Sequence, residues 1–307
     1  MKFLITGGSG MVGKAFQDIL PNAIYVSSRD YDLKNFDDVR QMYDEFRPEC
    51  VIHLAAKVGG VSANYNYLAD FYFENIQINS HVLHGAYEFK VNKVVSLLST
   101  CIYPDQATYP LTEDQIHNGI PHYSNYAYAH AKRMLDVQSR AYRDQYGCNF
   151  ITAVPNNLFG EYDNFDLEDS HAIAAIIRKI YEGKISNRDV TLWGDGTPLR
   201  EFTYSGDIAN TILFLTKNYN GRHPINIGNT HEVSIKEVAE VVSEIIGFEG
   251  DIIWDTTKLK GQHRKPSDNS KLLSLGWDIN SYTPFRSALT RVCQWFIMNY
   301  PDIRGVK

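Results

Sequence analysis

The turn Gly7-Gly8-Ser9-Gly10-Met11-Val12-Gly13 constrains this chain more than any other segment. It follows directly on an apolar run, Lys2 to Thr6, and leads into Met11 to Leu20, where apolar residues recur at three- and four-residue spacing. Strand, glycine turn and helix in that order let backbone N–H groups approach a pyrophosphate, and the positive end of the helix points at it. The spacing therefore predicts a dinucleotide site, with Gly7, Gly10, Met11, Val12 and Gly13 against the cofactor.

The rest of the first half repeats the rhythm. Cys50 to Leu54, Lys93 to Leu98 and Asn149 to Val154 read as buried strands, with Ala23 to Ser27 before them. Asp37 to Phe46, Leu68 to Phe89 and Ser124 to Tyr146 read as amphipathic helices between them. This is the pattern of an α/β chain with a Rossmann-type, doubly wound parallel sheet. After Pro155 come irregular stretches and then a helix from about Ile173, which predicts a second, smaller α/β lobe. We expect a cofactor domain over 1–160, with a returning segment near 203–230, and a substrate lobe over 161–307. Ser234 and Glu237 have the spacing of a reciprocal capping box, and another helix is expected from Pro284 to Asn299.

Composition excludes several alternatives. With 307 residues, 44% of them hydrophobic, the chain can bury a large core, and a net charge of -6 offers no electrostatic footprint for nucleic acid or an anionic membrane. Cys50, Cys101, Cys148 and Cys293 have neither metal-ligand nor disulfide-framework spacing, so no metal is expected. No apolar run reaches membrane-spanning length, and glycines interrupt the N-terminal one. These features predict a cytoplasmic enzyme.

At the end of the second strand an acid would bond the ribose hydroxyls of NADH. Here the chain reads Ser27-Ser28-Arg29, two hydroxyls and a guanidinium suited to a 2'-phosphate, which favours NADPH. The competing reading is an Arg29 solvated beside Asp30 and Asp32. Ala55 and Ala56, after the third strand, are small enough for a cofactor to lie against, although they also suit packing.

Tyr128 and Lys132 lie four residues apart, on one helical face. An ammonium near a phenol favours phenolate, so the spacing predicts a Tyr128 of lowered pKa that trades a proton with a carbonyl oxygen. Ser99 follows an apolar strand, where its hydroxyl could donate to the same oxygen. Ser99, Tyr128 and Lys132 together have the chemistry of a reductase triad.

On these residues the chain resembles the extended short-chain dehydrogenase/reductases. Further segments narrow the resemblance to the GDP-L-fucose synthase family: Ser99-Thr100-Cys101-Ile102-Tyr103-Pro104, Lys57-Val58-Gly59-Gly60, Asp163-Asn164-Phe165, and Trp193-Gly194 leading to Arg200-Glu201-Phe202. His117-Asn118-Gly119, Asp136-Val137-Gln138 and Ser267 to Leu272 extend it over nearly the whole chain, which looks most like the eukaryotic members. The resemblance implies 3,5-epimerisation and then NADPH-dependent 4-reduction of GDP-4-keto-6-deoxy-D-mannose, with Cys101 and His171 as the proton-exchanging pair.

A thiol and an imidazole suit proton exchange near neutral pH. On their own, Cys101 reads as a core cysteine and His171 as a histidine at a helix start, and the resemblance does not assign either to C3 or C5. It further implies Pro155 and Asn156, with Tyr128 and Lys132, at the cofactor. Asn157, His171, Lys179, Trp193, Arg200 and Lys265 fall at the substrate. Lys179 departs from the Arg of bacterial members, replacing a bidentate fork with a point charge, and Trp193 reads equally as a core residue. A homodimer pairing the Tyr128 helix and one other from each copy is implied too. The alternatives are a GDP-keto-sugar 4-reductase without epimerisation and a non-catalytic NADPH-binding protein.

Overall fold

The computed structural model describes residues 1–258 and 262–306. Of the second lobe expected from the sequence, 259–261 and 307 lie outside these residues.

Six strands build one parallel sheet. In chain order the elements are β1 (Phe3–Thr6), α1 (Met11–Ile19), β2 (Ile24–Val26), α2 (Phe36–Phe46), β3 (Cys50–His53), α3 (Val61–Asn66), α4 (Leu68–Glu88), β4 (Lys93–Leu97), α5 (Tyr126–Tyr146) and β5 (Phe150–Pro155). Then follow β6 (Asn157–Phe159), α6 (Ala172–Ser186), β7 (Val190–Trp193), β8 (Leu199–Tyr204), α7 (Ser205–Asn218) and β9 (Ile225–Ile227). The chain closes with β10 (Glu232–Ser234), α8 (Ile235–Ile246), β11 (Ile252–Asp255), α9 (Ser270–Ser274) and α10 (Phe285–Asn299).

The large sheet has the order β2-β1-β3-β4-β5-β9, and all its pairs are parallel. β2 and β3 flank β1 on opposite sides, so the crossovers diverge at β1. Such a switch point opens a crevice at the carboxyl ends of the strands, and the glycine turn sits there. Both faces are covered. Leu4, Val51, Val94 and Val154 pack with Val82, Leu83 and Leu135 of α4 and α5. Ile5, Ile52, Val95 and Ile151 pack against Phe16 of α1 and Ile208, Ile212 and Leu215 of α7. Burial on both faces explains why these strands read as unbroken apolar runs.

A second core lies around α6, α8 and α10, with Ile177, Ile180, Val238, Val242, Leu289 and Phe296 buried among them. Its strands form a three-stranded sheet β10-β8-β6 and a two-stranded sheet β11-β7. Strands of three to six residues are too short to show a periodicity in sequence, so this region read as irregular. Ser234 accepts a bond from the Glu237 N–H at 3.0 Å. The return bond of a full capping box is not made, and Ser234 instead pairs with Leu199 in the sheet.

Candidate active site

The cofactor end is shaped by glycine. Gly7 has φ +72°, and a Cβ there would lie 2.8 Å from the Ala55 nitrogen; at Gly13 one would lie 2.4 Å from the Gly7 carbonyl oxygen. A side chain at either position would push the turn away from β3 or from α1. The N-cap of α1 is Gly10, with no side chain bonding the helix terminus. Free N–H groups and the helix dipole at this point fit a pyrophosphate.

Beside it, Ser27 donates to the Asp30 carboxylate from both its N–H and its hydroxyl, each at 2.8 Å. One of the two hydroxyls expected at a 2'-phosphate is therefore committed to Asp30, while Ser28 and Arg29 are exposed. Arg29 is not a core residue, and its guanidinium makes no hydrogen bond among the described residues.

Beneath the crevice a chain of hydrogen bonds joins β1 to α5. The Ala55 N–H donates to Thr6 Oγ1 at 3.3 Å, and Thr6 Oγ1 meets His53 Nδ1 at 2.8 Å. His53 Nε2 meets Asn79 Oδ1 at 3.1 Å, and Asn79 Nδ2 donates to the Ala131 carbonyl at 3.4 Å. One set of roles satisfies every member: His53 donates from Nε2 and accepts at Nδ1. Burial, together with the charge of Lys132, holds His53 neutral, with its pKa lowered to about 3.

Ser99 and Tyr128 come together. Burial and the neighbouring Cys101 raise the Tyr128 phenol, and the nearby Ser99 hydroxyl opposes them. The lowered phenol expected from the Lys132 spacing is therefore corrected. The Lys132 ammonium is buried and donates to the Leu97 carbonyl at 2.9 Å, and burial lowers its own pKa to about 8. Four-residue spacing put both groups on one helical face but could not reveal the carbonyl that engages the ammonium.

Cys101 lies in a 3-10 turn, Thr100–Ile102, whose N-cap Ser99 accepts the Cys101 N–H at 3.3 Å. The thiol is partly exposed and interacts electrostatically with Tyr128, Arg200 and Lys265. Lys265 in turn acts on His171. Residues far apart in sequence are thus electrostatic neighbours.

His171 caps α6, its side chain 48% exposed, with Nδ1 3.9 Å from the Asp163 carboxylate. Desolvation lowers the imidazole, but the nearby Asp163 carboxylate outweighs it and the net shift is upward. The loop before His171 is held by Lys57-Val58-Gly59-Gly60. The Gly60 N–H donates to the Asp169 carbonyl at 2.8 Å, and a Cβ on Gly60 would lie 2.4 Å from the Ser170 carbonyl oxygen.

Trp193 ends β7 and is 38% exposed, which overturns the core reading. Two ammoniums flank its ring, Lys179 at 5.4 Å and Lys258 at 5.6 Å from the centroid. Lys258 escaped the sequence reading, since nothing local to it points at Trp193. Arg200 bonds the Leu199 and His263 carbonyls through one guanidinium nitrogen. Asn157 donates to the Glu201 carbonyl at 2.8 Å.

Pro155 is buried at the end of β5. Asn156 uses its amide inside the protein: it accepts from Thr203 Oγ1 at 2.7 Å and donates to the Asn229 carbonyl at 2.7 Å.

A doubly wound sheet with a glycine turn at its switch point, and a serine, tyrosine and lysine at the neighbouring strand end, defines a nicotinamide-dependent dehydrogenase/reductase of the extended short-chain type. The model of the NAD dependent epimerase/dehydratase family matches residues 3–228. A GDP-L-fucose synthase of Dictyostelium discoideum is 44% identical, with 98% of this chain and 97% of that protein covered. The crystal structure of a GDP-L-fucose synthetase from Naegleria fowleri bound to NADP superposes with a TM-score of 0.92 at 38% identity, covering 98% of this chain and 95% of that one. A GDP-6-OMe-4-keto-L-xylo-heptose reductase from Campylobacter jejuni gives a TM-score of 0.90 at 29% identity, covering 97% and 98%. The chain belongs to the GDP-L-fucose synthases, within the NAD dependent epimerase/dehydratase family.

Proposed function

We propose that this enzyme converts GDP-4-keto-6-deoxy-D-mannose and NADPH to GDP-L-fucose and NADP+, inverting C3 and C5 and then reducing C4 in one site. The observation that carries the reading is the Ser99–Cys101 turn at the end of β4, beside the Lys132 ammonium bonded to the Leu97 carbonyl of the same strand, in a chain 44% identical to a GDP-L-fucose synthase.

The chemistry follows from the substrate's carbonyl. A ketone at C4 acidifies the hydrogens on C3 and C5, and each inversion takes a proton from one ring face and returns one to the other. Ser99 and Tyr128 donate hydrogen bonds to the C4 oxygen and stabilise the enolate charge. Cys101 and His171 exchange the protons, and the Asp163 charge keeps His171 more protonated than a free imidazole, suited to giving a proton back. NADPH, when bound, supplies the hydride to C4. Tyr128 passes its proton to the resulting C4 oxygen, and Lys132 holds the ribose beside it. The α1 N-terminus and Gly7 to Gly13 hold the pyrophosphate, with Ser28 and Arg29 at the 2'-phosphate.

His171 opens α6 and Lys179 lies eight residues on, about 12 Å along the axis at the helical rise. That separation suits a sugar at one end and a guanine at the other, with Arg200 and Lys265 for the diphosphate and Trp193 for the base. Asn157 contributes at the sugar end.

Two copies pair through α4 and α5. This face carries exposed Phe73 and Val137 as well as Tyr72, Tyr126 and Met134, the last three lining a hollow of about 420 Å³, an apolar patch suited to an isologous four-helix interface. The reading places the enzyme in the cytosol, where its four unpaired thiols stay reduced.

The test is NADPH oxidation and product NMR with the purified sugar, comparing the natural chain with Cys101→Ser and His171→Gln. GDP-L-fucose from the natural chain, with inversion lost in both variants while NADPH still binds, is expected. A product unchanged at C3 and C5 would leave a plain 4-reductase.

A further inference from the structure

The turn that carries Cys101 is clamped by a residue that sequence reading passed over. Arg133 follows Lys132 in α5 and is only 5% exposed. Its Nε donates to the Ile102 carbonyl at 3.0 Å, Nη2 bonds the same oxygen, and Nη1 donates to the Gly119 carbonyl at 2.7 Å. Ile102 adjoins Cys101, and the residues after Gly119 pair back onto Asp105 and Pro104. One planar guanidinium therefore holds both sides of the excursion between β4 and α5, from the helix that also carries Tyr128.

We propose that Arg133 is a positioning residue that fixes Cys101 relative to the Tyr128 hydroxyl, and so sets the rate of proton exchange at the carbon Cys101 serves. The inference rests on the reading of Cys101 as a proton-exchanging group. A three-residue 3-10 turn has poor hydrogen-bond geometry of its own and moves easily. Proton transfer requires the thiol within hydrogen-bond reach of one ring carbon, and a misplacement of about 1 Å can slow such a step on the order of 100-fold.

The partners of Arg133 favour positioning over simple stabilisation. All three of its bonds go to carbonyls. A buried cation held only by neutral carbonyls recovers less of its desolvation cost than one paired with a carboxylate, so its net contribution to stability is small. What an apolar side chain cannot do is grip two carbonyls in fixed geometry. Tyr103, at the far side of the turn, donates its hydroxyl to Asn226 Oδ1 at 2.6 Å. Loss of Arg133 should therefore let the turn pivot about Tyr103 rather than detach.

Lysine separates geometry from charge. In Arg133→Lys the charge stays, but a single ammonium replaces the fork that spans both carbonyls. The test measures deuterium entry at C3 and C5 of GDP-4-keto-6-deoxy-D-mannose in D2O, with NADP+ present so that no reduction occurs. The arms are the natural chain, Cys101→Ser, Arg133→Lys, Arg133→Met and, as a surface control, Arg40→Met.

Both Arg133 variants should slow exchange about 10-fold or more at the carbon that Cys101→Ser affects. The other carbon, the sugar KM and NADPH affinity should stay within about twofold. Exchange at natural rates in both variants, beside a slow Cys101→Ser, would overturn the role of Arg133 alone. Normal exchange in Cys101→Ser would overturn the reading of Cys101 and this inference with it. Equal slowing at both carbons, or loss of NADPH binding in both variants, would show a general structural role and overturn the proposal.

Discussion

The Glu201 carboxylate accepts two hydrogen bonds from Ser267, one from the backbone N–H at 3.0 Å and one from the hydroxyl at 2.6 Å. A third comes from the Asn156 amide at 3.4 Å. One buried side chain on β8 thereby ties the segment that carries Lys265 to the residue after β5. Glu201→Gln keeps the shape but turns an amide donor toward donors on Ser267 or Asn156. We expect a loss of about 1–3 kcal/mol in stability and a larger rise in KM for the GDP-sugar than for NADPH. Denaturant unfolding with initial rates checks both; equal rises in the two KM values would contradict the link to Lys265.

In the proposed cofactor site Arg29 meets the 2'-phosphate, the Ser27 hydroxyl being turned onto Asp30. Arg29→Met removes charge-assisted bonds of about 1.5–3 kcal/mol. The preference for NADPH over NADH, read as the ratio of their kcat/KM values, should fall roughly 10- to 100-fold with little change in NADH kinetics. An unchanged ratio would return Arg29 to the solvated reading.

Asp163 holds the His171 pKa above its ordinary 6.5. A raised imidazole keeps its proton to higher pH, so the limb of the pH–rate profile due to His171 lies above 6.5 in the natural chain and moves down in Asp163→Asn. The stability contribution has the matching sign: it is fully present below 6.5 and fades as pH rises through the raised value. Deuterium exchange measured from pH 5 to 9 in both proteins checks the shift, and a limb that stays in place would contradict it.

Lys93 is buried inside the large sheet, yet it bonds the Thr216 and Tyr219 carbonyls at 2.8 and 2.6 Å and Asn220 Oδ1 at 2.9 Å. Its ammonium closes the C-terminus of α7, where unpaired carbonyls and the helix dipole favour a cation. Lys93→Met should cost about 2–4 kcal/mol, seen as a lower Tm, with kcat nearly unchanged at 20 °C.

The parts legible in sequence were those whose signal is local. Gly7 to Gly13 announces a turn because a strand and a helix flank it, and Tyr128 and Lys132 share a face by spacing alone. β1 to β5 were visible because burial on both faces leaves apolar runs. The second lobe was harder, since β6 and β10 are three residues long and take their pairing from distant segments. Cys101, Arg200, Lys265 and His171 lie far apart in sequence, so resemblance and not spacing brought them forward. Arg133 looked like one more polar residue on an amphipathic helix. The segments around Glu201 and Ser267 were each noticed, but nothing in either pointed to their pairing.

One site is proposed to carry out both inversions and the reduction. The most direct measurement runs the complete reaction in D2O with protium NADPH and reads the product by NMR. The expected product is GDP-L-fucose with deuterium at C3 and C5 and protium at C4. Protium retained at C3 and C5, with the configuration of the substrate, would contradict it.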